Sequence, residues 1–383
     1  MAGSFLLTLA HGQQALGHEV AVVVPHAAGL PMEEELAGVA VYRYRYGRDA
    51  EETLAYVGTM HEQALASWVA RWRLLRLVQA SRREVRRVCD VWQPDVLHVH
   101  WWVPGGFAVW PSLPDQPPVV LTSHGTDVFL LDRFPMARPL AAPIFKAAAQ
   151  VTVISSPLVE RVESLGVPPS RISVIPMPVA LGRFEAASDR TTIGNRLLFV
   201  GRLVERKGAH VAIEALEVLK RKGREAHLTV VGDGPERDRL EALADQKGVS
   251  PQVDFQGTVP AESVAHAFAK TDVFLMPAVT DWKGEQEGFG LVLVEAMMSG
   301  VPVVASESGG IPDVVTDGET GLLVPEHDPE GLAGAIERLL SDSALGRRLA
   351  RAAAKEVRRR FAPEAIARRF EAVYSRATEV AGR

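Results

Sequence analysis

Two carboxylates, Glu287 and Glu295, sit eight positions apart in the run Glu287-Gly288-Phe289-Gly290-Leu291-Val292-Leu293-Val294-Glu295, which continues to Ala296-Met297-Met298-Ser299-Gly300-Val301-Pro302. A loop with two glycines delivers the first acid, a short apolar helix carries the second, and Gly300 and Pro302 stop that helix. At ~1.5 Å per residue, eight helical positions span about 12 Å, close to the length of a diphosphate group. A helix N-terminus lies between the acids, and its unpaired N–H groups and positive dipole end suit an anion. One ligand could then be held at three points, by a hydroxyl-rich group at each end and phosphates in the middle. Taken alone, two glutamates at this spacing on an acidic surface would do no chemistry.

Basic residues at the right kind of position occur earlier. Arg202 and Lys207 lie in Gly201-Arg202-Leu203-Val204-Glu205-Arg206-Lys207-Gly208, between the strand Arg196 to Val200 and a helix. Cations beside a helix N-terminus can neutralise a diphosphate without a metal. Elsewhere on a surface such residues are simply solvated, and Arg206 reads that way. In the first half, Ser123-His124-Gly125-Thr126-Asp127 closes a strand and sets His124 at the carboxyl edge of a sheet, where open α/β domains bind ligands. A histidine there otherwise serves as a structural hydrogen bonder. His98 and His100 alternate with apolar residues on the preceding strand and lack a third ligand at zinc spacing. No Asp-x-Asp metal motif stands at a strand end.

These groups require parallel sheets to position them. Short apolar runs at Glu19 to His26, Val39 to Tyr46, Asp95 to His100, Pro118 to His124, Val151 to Ser155 and Ile172 to Pro176 alternate with helical patterns. Such runs are what a parallel sheet covered on both faces produces, so the first half reads as a Rossmann-like domain. Periodicity is lost from Val179 to Asn195, which marks a linker between a domain of residues 1–178 and one of residues 196–362. The second domain carries strands at Arg196 to Val200, Leu228 to Gly232, Val273 to Met276, Val301 to Ala305 and Leu322 to Val324. Gly232-Asp233-Gly234-Pro235-Glu236-Arg237 is not a dinucleotide fingerprint, because Arg237 occupies the third glycine's place. Ser308-Gly309-Gly310 is a tight turn. A last helix, within 363–383, sets Ile366, Phe370, Val373 and Tyr374 on one face.

The run from Glu287 through Val324 resembles the signature of retaining GT-B glycosyltransferases of family 4, with glycines and prolines in register. The resemblance extends over nearly the whole chain and is strongest from Asn195 to Pro325. It implies two Rossmann-like domains facing across a cleft, with the last helix returning to the first domain. It also implies transfer of a sugar from a nucleotide diphosphate sugar to an acceptor hydroxyl, with retention and with no metal or other cofactor. On this resemblance Glu295 binds ribose hydroxyls, and Glu287 holds the donor sugar with backbone N–H groups around Phe289 and Gly290. Arg202 and Lys207 clamp the departing diphosphate. Gly201, Gly232, Gly288 and Leu291 border the donor, and the loop carrying Val259 receives the base. His124 reaches the transferred sugar, and Asp127 either holds that histidine or touches the acceptor. Relatives open with a strand and a glycine-rich loop before the Gly-His-Glu-Val turn, found here at Gly17-His18-Glu19-Val20. That first strand and most of its loop are missing here, with Gly3 all that remains of the acceptor-side loop, so the start codon lies upstream or the chain is a degraded paralogue. The linker reads Met177-Pro178-Val179 where relatives have Asn-Gly-Val.

Composition bounds the alternatives. With 383 residues, 47% hydrophobic and 23% charged, the chain suits two soluble α/β domains, and a formal charge of −5 argues against bulk nucleic-acid binding. The single cysteine, Cys89, has no partner in the chain, which fits a reducing cytoplasm. No uncharged apolar run reaches the ~20 residues of a spanning helix. The segment Trp68 to Asp90 is a helix with seven arginines and with Trp68, Trp72, Leu75 and Val78 near helical spacing. It reads as a core-packing helix with a solvated face, or as a peripheral contact with an anionic membrane. Two other functions share the scaffold: a nucleotide-sugar epimerase or phosphorylase, and a binding protein that has lost catalysis.

Overall fold

The computed structural model describes residues 4–56, 67–111, 116–180, 182, 184 and 194–381. Gly3 and most of the expected linker, 179–195, lie outside the described residues. The chain divides into two compact units, one of residues 1–178 with 363–383 and the other of residues 179–362.

The first unit carries β1 (Ala21–Pro25), β2 (Glu33–Leu36), β3 (Val39–Tyr44), β4 (Leu97–His100), β5 (Val119–Ser123), β6 (Gln150–Val153) and β7 (Ile172–Val174). They form two sheets: β1-β3-β2, and a wholly parallel β4-β5-β6-β7. β1 and β4 each end a sheet, and the first described element is a helix, Ser4–Gln14. β2 escapes sequence reading because Glu-Glu-Glu-Leu has no apolar alternation. It is an exposed antiparallel edge on β3.

Helices bridge the two sheets. Helix Trp68–Trp92 is capped by the Ser67 side chain accepting from the Ala70 N–H, and it ends on Gln93 in the left-handed region. It packs on β1 and β3 and also on residues 101–109 that follow β4. Its buried stripe is Ala70, Leu77, Ser81 and Val88. The apolar stripe expected to face the core does not: Trp68, Trp72 and Leu75 are 82%, 63% and 56% exposed. Leu9 of the first helix joins Val120, Ile175, Ile366, Phe370 and Val373 in one core, so helix Pro363–Ala381 closes the β4–β7 sheet.

The second unit holds β8 (Arg196–Val200), β9 (His227–Val231), β10 (Val253–Gly257), β11 (Val273–Met276), β12 (Val303–Ser306) and β13 (Leu322–Val324). They make one parallel sheet in the order β10-β9-β8-β11-β12-β13. β11 and β12 are buried at every position, as expected for strands covered on both faces. β10, Val-Asp-Phe-Gln-Gly, is an edge strand with alternating exposure, a period-2 pattern that the sequence reading passed over. Strand order reverses between β8 and β11, and such a switch point opens a crevice at the carboxyl ends of the strands.

Candidate functional site

The loops after β8 and β11 flank the switch point and are pressed together through glycines. A methyl on Gly208 would lie 1.6 Å from the Pro277 carbonyl oxygen, and one on Gly309 2.1 Å from the Glu287 carbonyl oxygen. Gly232, after β9, approaches the Gly201 carbonyl equally closely, at 1.9 Å from its own added methyl. Only glycine permits these contacts, so backbones of loops from four strands converge on one edge.

The loop of residues 277–290 is anchored by side chains. Glu326 accepts from the Thr280 N–H at 2.6 Å and from the Thr280 hydroxyl at 3.0 Å, and Gln286 donates to that hydroxyl at 3.0 Å. Asp281 Oδ1 accepts from the N–H groups of Lys283 and Glu285, each at 2.9 Å. Nothing in the sequence pointed to Glu326, because its partners lie 46 residues away.

This scaffold delivers Glu287 to Lys207. The two form a buried ion pair, with side chains 10% and 19% exposed, and Glu287 Oε1 also accepts from the Gly290 N–H at 3.1 Å. Burial alone would raise the Glu287 carboxyl. The Lys207 ammonium, with Arg206 and the Gly290 N–H, outweighs burial and holds it below its ordinary value. Two groups expected to meet a ligand are engaged with each other, and one expectation is corrected. Lys207 and Glu287, assigned to separate parts of a ligand, are bonded to each other. The Gly290 N–H, expected to face a sugar, is taken by Glu287. Arg206 is not a free surface cation but pairs with Glu285 at 3.1 Å.

The helix after the loop runs Leu291–Met298, with Gly290 as its left-handed N-cap at φ 78°. Only the second part of the Glu287–Glu295 interval is therefore helical, and the span of eight helical residues does not apply. Glu295 is half-buried on this helix and Leu291 lies exposed at its start. Phe289 is buried edge-on against Phe361, which anchors the loop and leaves the side chain unavailable to a ligand. Gly288 precedes it, half-buried. Arg202 is exposed and without an ion pair among the described residues, and Val259 is half-buried beyond β10. The arrangement can bind an anion at Arg202 and Lys207 and a polyol through Glu287 and Glu295.

In the first unit, His100 Nδ1 and His124 Nε2 meet at 2.9 Å at the carboxyl edge of β4 and β5. Trp101 and Phe5 lie over the His124 ring at centroid distances of 4.5 and 5.1 Å. Burial keeps both imidazoles neutral, pushing His100 down to about 3 and His124 well below its ordinary value. Asp127 is buried beneath the turn, where its Oδ1 accepts from the His124 N–H at 3.0 Å and the Ser123 hydroxyl at 2.9 Å. That is the holding role, and burial leaves it no surface for an acceptor. Its own carboxyl is raised by burial to about 6. His98 bonds Tyr374 at 2.8 Å and Thr122 at 2.6 Å, which makes it a packed structural group.

Two family models match the chain: Glycosyltransferase Family 4 over residues 2–183 and Glycosyl transferases group 1 over residues 185–356. The chain is 36% identical over 234 residues, 58% of its length, to the GDP-mannose-dependent alpha-(1-6)-phosphatidylinositol monomannoside mannosyltransferase of Mycolicibacterium smegmatis. It spans between 53% and 61% of the length of such curated relatives. Among solved structures it resembles the sucrose-phosphate synthase of Thermosynechococcus elongatus, with TM-score 0.77 at 24% identity, covering 98% of this chain and 93% of the other. Anabaena HepE in complex with UDP-glucose is similar at TM-score 0.67 and 19% identity, covering 93% and 99%. At these identities the likeness shows the fold, which is GT-B. With the two models accounting for all but the C-terminal end and one intervening residue from position 2 onward, the chain belongs to the group 1 glycosyltransferases of the GT-B class.

Proposed function

We propose that this chain is a retaining glycosyltransferase that moves a sugar from a nucleotide diphosphate sugar to an acceptor hydroxyl on a glycan, a lipid-linked molecule or a small molecule. The observation that carries the reading is the meeting of Lys207, Glu287 and the Gly290 N–H at the switch point of the second unit's sheet. Donors of two kinds appear among similar proteins, GDP-mannose in one name and UDP-glucose in another.

On this reading the diphosphate competes with the Glu287 carboxylate for the Lys207 ammonium, and Arg202 takes its other oxygens. Released from Lys207, Glu287 accepts hydrogen bonds from the donor sugar. Glu295 accepts from the ribose hydroxyls. Gly201, Gly232, Gly288 and Leu291 border the donor, and the loop at Val259 receives the base. The bond between the sugar's anomeric carbon and the diphosphate oxygen breaks as a bond to the acceptor oxygen forms on the same face, with the acceptor's proton passing to the departing diphosphate, which preserves configuration. Charge grows on the leaving diphosphate as that bond breaks, and the Arg202 guanidinium and Lys207 ammonium stabilise it where a metal would otherwise be used. His124, neutral at pH 7, has only Nδ1 left for a hydrogen bond to the sugar, because its Nε2 meets His100.

Screening UDP- and GDP-sugars for thermal stabilisation identifies the donor, since a ligand of the folded state raises apparent stability by mass action. NMR of the product then reads the anomeric configuration. The Lys207→Ala variant is expected to lose turnover by at least about a hundredfold while donor affinity falls less. Equal losses in both, or an inverted product, would overturn the assignment.

A further inference from the structure

Helix Trp68–Trp92 carries an outward stripe that is exposed among the described residues. Positions 68, 72, 75, 79, 83 and 86 follow the spacing of one helix face and read Trp, Trp, Leu, Gln, Arg, Arg. All six are exposed, opposite the buried stripe of Ala70, Leu77, Ser81 and Val88. The three apolar members lie at one end, and the arginines follow behind them. Arg71 flanks the apolar end, its guanidinium 4.9 Å from the centre of the Trp68 ring.

Charge on the stripe is unbalanced. The helix has seven arginines against Glu84 and Asp90, in a chain whose formal charge is −5. Arg87 is spent on Glu84 and Glu33, and Arg82 on the carbonyls of Trp110 and Pro111. Arg71, Arg83 and Arg86 have no acidic partner among the described residues. Large exposed aromatics with arginines beside them suit the boundary between lipid headgroups and acyl chains, where a ring enters and a guanidinium stays with phosphate.

The placement is directional. Arg82 ties the middle of the helix to the backbone at Trp110, and Arg73 bonds Thr53 beyond the end of β3. From Arg82 to Trp72 the helix rises a further ~15 Å. The tryptophans therefore lie at the end of the helix that sits beside the carboxyl end of β3. A second copy of the chain is a poor occupant, since two-fold pairing through this face would set arginines against the same arginines.

We propose that the outward face of helix Trp68–Trp92 docks on an anionic lipid bilayer, with Trp68, Trp72 and Leu75 entering the interface and Arg71, Arg83 and Arg86 contacting lipid phosphates. Docking turns the carboxyl end of β3 toward the membrane.

The test is sedimentation of the full chain with vesicles of phosphatidylcholine alone or with phosphatidylglycerol, without donor or acceptor, so the result stands apart from any transfer activity. Binding is expected with phosphatidylglycerol, to weaken in high salt and to be at least about tenfold weaker on phosphatidylcholine alone. Trp68→Ala with Trp72→Ala is expected to reduce binding at least about tenfold on the anionic vesicles. Arg83→Gln with Arg86→Gln is expected to reduce it by about thirtyfold, at roughly a factor of five per arginine. All four side chains are exposed, and unchanged thermal melts would show that the variants fold. No binding to anionic vesicles, or binding untouched by both pairs of substitutions, overturns the proposal. So does concentration-dependent self-association that the tryptophan substitutions abolish while vesicles are ignored.

Discussion

Among the described residues the second unit's six strands share one sheet, whereas the first unit's seven divide into two, although both read as the same alternation of strand and helix. The contrast shows in the strands themselves. β11 and β12 are buried throughout, while the Ala-Val-Val-Val-Pro of β1 is only half-buried at every position. Continuity of the second sheet gives it a switch point with loops on both sides. Cohesion in the first unit depends more on helices that span the break, especially Trp68–Trp92 and the pair Ser4–Gln14 and Pro363–Ala381. A continuous sheet fixes loops by backbone contact, and a divided one fixes side chains by helix packing.

The largest expected effect tests the backbone contacts. Gly208→Ala drives a methyl into the Pro277 carbonyl, and denaturant unfolding is expected to show the second unit destabilised by more than about 3 kcal/mol. Gly17→Ala in the first unit meets open space and carries only the positive-φ strain, about 1 kcal/mol. Comparable losses at both positions would erase the distinction.

Removing Lys207 strands the buried Glu287 carboxylate. Lys207→Ala is expected to cost about 3 kcal/mol, and pairing Lys207→Met with Glu287→Gln to recover most of it in the same melt. A double variant no better than the single one would mean the pair is not the source of the loss.

Acid should separate the units. The folded imidazole of His100 resists protonation down to about 3, while an unfolded one takes its proton near 6.5. Between these values the unfolded state binds more protons, so first-unit stability falls as pH falls, with His98 and His124 adding to the slope. Asp127 works the other way, because its raised carboxyl binds a proton earlier when folded. In the second unit, Glu287 has a depressed carboxyl, whose contribution is kept above 4.5 and lost below it. Six of the seven tryptophans lie in the first unit, so tryptophan emission should begin to change between 6.5 and 4.5, before the second unit loses the Glu287 contribution. Simultaneous changes would contradict this order.

The smallest effect is in hydrogen exchange. The outer ladder positions of β1 and β4 should exchange faster than amides of β6 and β11, which have a strand on each side. Equal protection would mean that something covers those edges.

Most of this architecture was legible because period and punctuation are local. The strand ending at His124, the glycines at 201, 208 and 290, and the helix carrying Glu295 all follow from neighbours in the chain. What escaped depends on distant partners or on exposure. β2 and β10 are edge strands with half their positions in water, so hydrophobic runs miss them. Arg206 looked solvated because Glu285 lies 79 residues on, and the Lys207 bond to Glu287 spans 80. The stripe of Trp68, Trp72 and Leu75 has helical spacing, and spacing alone cannot say which side of a helix faces the core.

Because Gly208, Gly232 and Gly309 each abut a carbonyl oxygen, a saturation scan across these positions should respond to size before chemistry. Alanine there would be tolerated no better than aspartate. Positions such as Arg202, open to solvent, should instead rank substitutions by charge. The same edge of one sheet would thus yield two kinds of intolerance, and their boundary would trace where backbone ends and ligand begins.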